Sequence, residues 1–278
     1  MSEVQAGFRK GYSTTDQIFT LKCIVELFLC QGRRLFCTFV DYSKAFDSIN
    51  RAMLWKKLIL YGVSGKVLNV ILNMYKSIKS CVMNNGVQSE FFDSHVGLRQ
   101  GENLSPLLFA LFLNDMETFF PSQKWNTLKF IEKLYNDSND DINGMLNLFV
   151  LLYADDTVIM AENEHDMQRN LDLLNEYCIC NKLKVNISKT KMMVFARSKT
   201  RIRNIRTFKF GNTDLDQVED YIYLGICFNW NGSFVKAKKL LHDKATKAMY
   251  SLIQKGRRLN LPTDVMLKLF DMCVEPIL

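Results

Sequence analysis

The sequence predicts an α+β fold, and three features carry that expectation. Segments with helical spacing alternate with short apolar runs that read as antiparallel hairpins rather than strands joined by long crossovers. Asn84-Asn85-Gly86 supplies hairpin turn chemistry between two such runs. The apolar runs 148–152 and 157–160 flank Tyr153-Ala154-Asp155-Asp156, which sets two acids at the tip of another hairpin. The chain has 278 residues, 48% of them hydrophobic, enough for one large domain or a domain with an appendage.

The elements follow in order. Ile18, Leu21, Val25 and Leu29 share one face of a helix over 14–29, with Thr14 or Thr15 as cap and Gly32 as its stop. Residues 35–40 form a strand. A helix spans 48–61 and stops at Gly62; Ser64 starts another that reaches about 78. Strands near 80–83 and 89–94 flank the Asn-Gly turn. Ser105-Pro106 opens a helix to 120 with proline at its first position. Residues 121–144 are polar and read as a surface insertion. After the acid-tipped hairpin, a helix over 164–181 aligns Met167, Leu171, Leu174 and Cys178. Short strands near 191–195, 207–210 and 221–228 precede a helical end, 234–278, broken at Leu261-Pro262. There, Leu241, Ala245, Met249 and Leu252 leave Lys239, Lys247 and Arg257 pointing outward.

The net charge is +7, and it is unevenly spread. Residues 182–209 hold ten Lys or Arg and no acid; residues 236–258 hold eight against Asp243 alone. Such runs are solvated faces or a footprint for a polyanion, and two of them after an acidic stretch favour nucleic acid. The cysteines Cys23, Cys30, Cys37, Cys81, Cys178, Cys180, Cys227 and Cys273 have no C-x-x-C pairing and read as small buried hydrophobes in a reducing compartment. His95, His165 and His242 lack zinc-ligand spacing. There is no signal peptide and no apolar run long enough to span a membrane, so the expectation is a soluble protein of the cytoplasm or nucleus.

Adjacent carboxylates repel, and they tolerate one another best around a cation. Asp41, closing the apolar run Phe36-Cys37-Thr38-Phe39-Val40, is a third acid: either it caps the next helix or it joins Asp155 and Asp156 if the two strands lie side by side. Three such acids are the minimum for holding two magnesium ions. Asp47 reads better as a helix cap. Gly97 and Gly101 flank Gln100 in a loop opening onto a helix, which suits close approach of a ligand or an ordinary connection.

Taken together and in order, these elements resemble the reverse transcriptase domain of non-LTR (LINE-type) retrotransposons. The resemblance rests on Gln5-Ala6-Gly7-Phe8-Arg9-Lys10-Gly11-Tyr12-Ser13-Thr14-Thr15-Asp16, on Phe39-Val40-Asp41 through Lys44-Ala45-Phe46-Asp47 (motif A), and on Gly97-Leu98-Arg99-Gln100-Gly101 with Ser105-Pro106 (motif B). It continues with Tyr153-Ala154-Asp155-Asp156 (motif C), Leu183-Lys184-Val185-Asn186 with Lys189-Thr190-Lys191 (motif D), and Tyr223-Leu224-Gly225 (primer grip). It runs from about residue 5 to 234 and more loosely to the end.

The resemblance implies a right-hand polymerase fold: partial fingers and a palm with an antiparallel sheet over 1–230, then a truncated helical thumb over 231–278. It implies an RNA-directed DNA polymerase acting on an RNA template, a DNA primer and dNTPs, with two Mg2+ ions or Mn2+ in their place. Asp41, Asp155 and Asp156 would be the catalytic metal ligands, with the Tyr42 carbonyl assisting. Phe46 would be the steric gate against a 2′-hydroxyl, and Gln100 and Arg9 would contact nucleotide or template. Lys189, or else Lys191, would protonate the departing pyrophosphate. Tyr223, Leu224 and Gly225 would hold the primer, and the basic runs would flank the duplex through its phosphates. The chain departs from the family pattern at both ends, where further fingers and thumb residues are expected, and it carries no endonuclease segment. Two other readings stand: a group II intron or cellular reverse transcriptase, which fits motifs A and B less well, and a catalytically inactive remnant that at most binds nucleic acid.

Overall fold

The computed structural model describes residues 5–119, 128, 150–202 and 205–277. The 121–144 insertion falls almost wholly outside the described residues. In chain order the described elements are helix α1 (Thr14–Cys30), strand β1 (Leu35–Val40), and helices α2 (Ala45–Ser48), α3 (Arg51–Leu60) and α4 (Gly65–Lys76). Next come strands β2 (Lys79–Ser80), β3 (Met83–Asn84), β4 (Val87–Gln88) and β5 (Phe92–Asp93), then helices α5 (Ser105–Leu113) and α6 (Met116–Phe119). The hairpin β6 (Val150–Tyr153) and β7 (Asp156–Ala161) leads to α7 (Glu164–Asn181) and β8 (Lys191–Phe195). Strands β9 (Lys209–Phe210), β10 (Thr213–Asp214), β11 (Asp216–Gln217), β12 (Asp220–Tyr223) and β13 (Ile226–Asn229) precede helices α8 (Val235–Arg258) and α9 (Thr263–Cys273).

The fold is α+β, and its centre is a five-stranded mixed sheet ordered β11-β8-β1-β7-β6, with β11 parallel to β8. β1 lies in the middle, antiparallel to both β7 and β8, and all six of its residues are buried. Side chains of a strand alternate between faces. Phe36 and Val40 therefore join the core under α3, α4, α5 and α7, while Leu35, Cys37 and Phe39 join a second core with α1, Tyr223 and Phe228. A strand covered on both faces reads as a continuous apolar run rather than an alternating one, as this one does.

Several expected boundaries moved. The first helix is capped by Ser13, not Thr14 or Thr15: Ser13 Oγ accepts from the Asp16 N–H, and the Asp16 carboxylate accepts from the Ser13 N–H at 2.6 Å. The helix expected over 48–61 starts later, at Arg51, because Ser48 ends the short helix α2, Ile49 leaves the helical region and Asn50 caps α3 by accepting from the Met53 N–H at 3.0 Å. The helix from Ser105 ends at Leu113, and Asp115 in the break turns inward to Lys57. Lys57 Nζ donates to Asp115 Oδ1 and the Phe112 carbonyl, both at 2.7 Å, and burial pulls its pKa below the ordinary 10.5. The cysteines are only partly the buried set expected: Cys37, Cys178 and Cys227 are buried, but Cys23, Cys30, Cys180 and Cys273 are exposed. No described helix is long and apolar enough to cross a membrane.

Candidate active site

The register places the acids. Val40 of β1 pairs with Thr157 of β7, so Asp41 follows directly opposite Asp156. Paired strands lie roughly 5 Å apart, so a separation of 115 residues in sequence closes to neighbouring positions. The backbone of Asp41 is clamped from the other side as well. Its N–H donates to Thr190 Oγ1 at 3.2 Å, and its carbonyl accepts from the Asn186 N–H at 2.8 Å. The Ser43 N–H donates to the Lys184 carbonyl at 2.7 Å. The segment 184–190 thereby brings Lys189 to the acids, while Lys191 is bound to Asp216 at 2.6 Å.

A cleft of about 520 Å³ is lined by Asp41, Tyr42, Ser43, Lys44, Phe46, Gln100, Asp155, Asn186 and Lys189. It unites most of the residues singled out from the sequence. The Tyr42 side chain is buried in the core, so its backbone faces the cleft. The Phe46 ring stacks on Phe109, with centroids 4.9 Å apart, and also lines a neighbouring cavity of about 800 Å³ along residues 99–107. The larger cavity holds neither Asp41 nor Asp155, whereas the smaller one holds both. Gln100 Nε2 donates to Asp47 Oδ1 at 2.9 Å. Arg9 lies outside the cleft, its Nη1 donating to the Gln5 carbonyl at 3.3 Å and its guanidinium lying 4.2 Å from the Tyr12 ring centroid.

Among the described residues no group of three or more His, Cys, Asp or Glu side chains stands as a metal-holding cluster. Asp155 lines the cleft with Asp41. Burial, and then the charge of Asp156, raises the pKa of Tyr221 and Tyr223, and Asp41 adds to the effect on Tyr221. Desolvation, then the Asp41 charge, raises the Asp155 pKa. Desolvation and the charges of Asp155 and Asp41 raise that of Asp156 to about 6. Hard carboxylate oxygens under mutual repulsion are the donor chemistry that suits Mg2+.

Two features had no local signal in the sequence. Gln5 is fully buried, and its Oε1 accepts from the N–H of Gly7 at 2.8 Å and of Ala154 at 3.1 Å. The N-terminal segment thus fastens the left-handed tip residue Ala154, φ 55°, directly before Asp155. Tyr221 stacks on Phe39 at 4.2 Å, and burial together with Asp156 and Asp41 pushes its hydroxyl up to about 12. The expected primer-grip residues form the turn of the hairpin β12–β13. Leu224 (φ 47°) and Gly225 (φ 88°) both take positive φ, and Tyr223 is buried against Phe39.

Of the expected basic faces, Lys199 and Lys209 pair with Glu219 and Asp214, and Lys236 with Asp220. Lys182, Lys184 and Lys189 stay exposed and make no ion pair among the described residues.

A mixed central sheet with acids at the ends of its middle strands, backed by helices and flanked by a hairpin, has the architecture of a palm-type polymerase domain. The sequence model for Reverse transcriptase (RNA-dependent DNA polymerase) matches residues 1–228, and the chain belongs to that family. Its relatives are Pol proteins of non-LTR retrotransposons. It is 26% identical over 234 residues to the Retrovirus-related Pol polyprotein from type-2 retrotransposable element R2DM of Drosophila melanogaster, covering 81% of this chain and 21% of that protein. It is 23% identical to the RNA-directed DNA polymerase from mobile element jockey of Drosophila funebris, over 98% of this chain and 28% of that protein. The chain therefore spans about a fifth to a quarter of the length of these relatives. A solved telomerase from Candida tropicalis is similar to 77% of the chain and 38% of its own, with a TM-score of 0.49 and 12% identity.

Proposed function

We propose that this chain is the RNA-directed DNA polymerase domain of a LINE-type element, adding dNTPs to a primer 3′-hydroxyl on an RNA template. The observation that carries the reading is the opposition of Asp41 and Asp156 across β1 and β7, with Asp155 and Asp41 on one cleft beside Phe46, Gln100 and Lys189. Residues 1–230 then serve as fingers and palm, and 231–278 as the start of a thumb.

Asp41 and Asp155 would hold two Mg2+ ions, or Mn2+ in their place, with Asp156 and the Tyr42 carbonyl in support. When bound, such ions acidify the attacking hydroxyl and offset charge on the leaving pyrophosphate. The protein's own part is placement. Phe46, held by Phe109, occupies the floor where a 2′-hydroxyl would collide. Gln100, tethered to Asp47, meets the nucleotide. Lys189 gives its proton or its charge to the pyrophosphate. Tyr223, Leu224 and Gly225 support the primer, and Arg9 steadies the segment that fastens the acid-bearing tip. The exposed lysines and the basic face of α8 bind the RNA–DNA hybrid through phosphates.

Primer extension on poly(rA)/oligo(dT) with magnesium tests the reading: the chain extends the primer and Asp155→Asn does not. The competing reading is a chain that binds hybrid without synthesis, and the lack of a metal-holding cluster among the described residues is the observation on its side. Hybrid binding with no extension by the unaltered chain decides for it.

A further inference from the structure

We propose that Arg51 is a positioning residue for nucleotide selection: its guanidinium braces loop 94–101 against the motif A helix and so fixes where Gln100 and Phe46 meet the substrate. The inference rests on the polymerase reading above and assigns a role to a residue outside the cleft.

Arg51 is the first residue of α3, and its backbone is held by the Asn50 cap. Its side chain donates to three backbone carbonyls of the loop. Nε reaches Gly97 O at 2.8 Å, Nη1 reaches Ser94 O at 2.6 Å, and Nη2 reaches Val96 O at 2.9 Å. The guanidinium presents these donors from three nitrogens in a fixed planar fork, a spread that the single nitrogen of an ammonium on a flexible stem does not reproduce. The loop answers with two backbone bonds. The Gly97 N–H donates to Ile49 O and the Leu98 N–H to Phe46 O, both at 2.8 Å. The contact is close enough that a Cβ on Gly97, φ 81°, would stand 2.6 Å from the Asp47 carbonyl oxygen. Five hydrogen bonds thus tie residues 94–98 to residues 46–51.

The far end of the loop is fixed separately. Arg99 donates to the Met74 carbonyl at 2.9 Å and to Glu102 at 2.6 Å. The guanidiniums of Arg51 and Arg99 lie 5.4 and 5.8 Å from the ring of Tyr75, whose hydroxyl pairs with Ser105 Oγ at the start of α5. Gln100 is suspended between the two braces and lines the cleft of the acids, the cavity of about 800 Å³ beside it, and a further cavity of about 610 Å³ that Asp47, Arg51 and Ser94 also line. Ser94 and Val96 are partly or wholly exposed, so water can take over their carbonyls if Arg51 is lost. Losing the fork therefore loosens the loop more than it threatens the fold.

The test compares the chain with Arg51→Lys and Arg51→Ala, reading primer extension with dTTP and UTP, thermal melting, and amide exchange over 94–101. The inference expects the KM for dTTP to rise about tenfold in Arg51→Ala and by less in Arg51→Lys, with kcat held within about twofold. The preference for dTTP over UTP falls, loop exchange quickens, and the melting temperature stays near that of the unaltered chain. Unchanged KM and sugar preference in both variants overturns the inference. So does a fall in kcat that follows melting at constant KM. If the unaltered chain extends no primer, the polymerase reading fails; exchange over 94–101 then decides the brace alone, and unaltered exchange in Arg51→Ala overturns it.

Discussion

Replacing Gly7 by alanine perturbs the acids from a residue that touches no substrate. Gly7 lies outside the left-handed region, so the substitution adds no dihedral strain. The cost is steric. A methyl on Gly7 would overlap the Ala154 nitrogen and stand 2.9 Å from its Cα and 3.0 Å from Gln5 Oε1. Carbon contacts settle near 3.5 Å, so the two backbones must part by about 1 Å. Two hydrogen bonds bridge that gap: Ala6 N–H to Leu152 O at 2.9 Å, and Ala154 N–H to Gln5 Oε1 at 3.1 Å. At about 1 kcal/mol each, their loss costs about 2 kcal/mol. The same movement shifts Asp155, the next residue, and a misplacement of ~1 Å lowers a rate by about 100-fold. Urea unfolding reads the first quantity and single-turnover extension the second. A Gly7→Ala chain within about 0.5 kcal/mol of the unaltered one and extending primers at the same rate would refute the claim that this contact holds the tip.

Three further outcomes are expected. Phe46→Ala admits ribonucleotides, because the ring stacked on Phe109 is removed; extension with UTP beside dTTP measures it, and unchanged preference counts against the gate. Lys57→Met leaves Asp115 and Tyr177 facing an uncompensated charge and destabilises by about 3 kcal/mol, whereas Lys57→Met with Asp115→Leu recovers most of that in denaturant unfolding. Burial keeps the Lys57 pKa below 10.5, so the native chain releases that proton before the unfolded chain does; this residue's contribution to stability rises as pH climbs towards 10.5, and unfolding at pH 8 and 10 compares the two. Hybrid affinity falls at least about 100-fold between roughly 50 and 200 mM salt if the exposed lysines bind phosphates, and a flat salt dependence rules those contacts out.

What the sequence made legible follows from local chemistry. The run Leu35–Val40 reads as a strand because both of its faces are buried, and Glu164–Asn181 reads as a helix because Asn163 caps a regular apolar stripe. The acids were legible as separate motifs, and their meeting required the register of β1 on β7. The break after Leu113 was hidden because its cause, Lys57, lies 58 residues away from Asp115. Gln5 and Tyr221 were silent for the same reason: Gln5 acts 149 residues from Ala154, and Tyr221 reaches the acids only through its stack on Phe39. Counting charge overstated the basic face, because Lys191, Lys199 and Lys209 are paired with acids of the segment 214–219.

Single-turnover extension of oligo(dT) on poly(rA) by the unaltered chain, Asp41→Asn, Asp155→Asn and the double substitution bears most directly on the two carboxylates working as one centre. The account predicts that each single change cuts the rate by at least about 1,000-fold and that the double change cuts it no further, as for residues acting as a unit. Losses that multiply in the double variant, or a single variant that still extends at the unaltered rate, would contradict it.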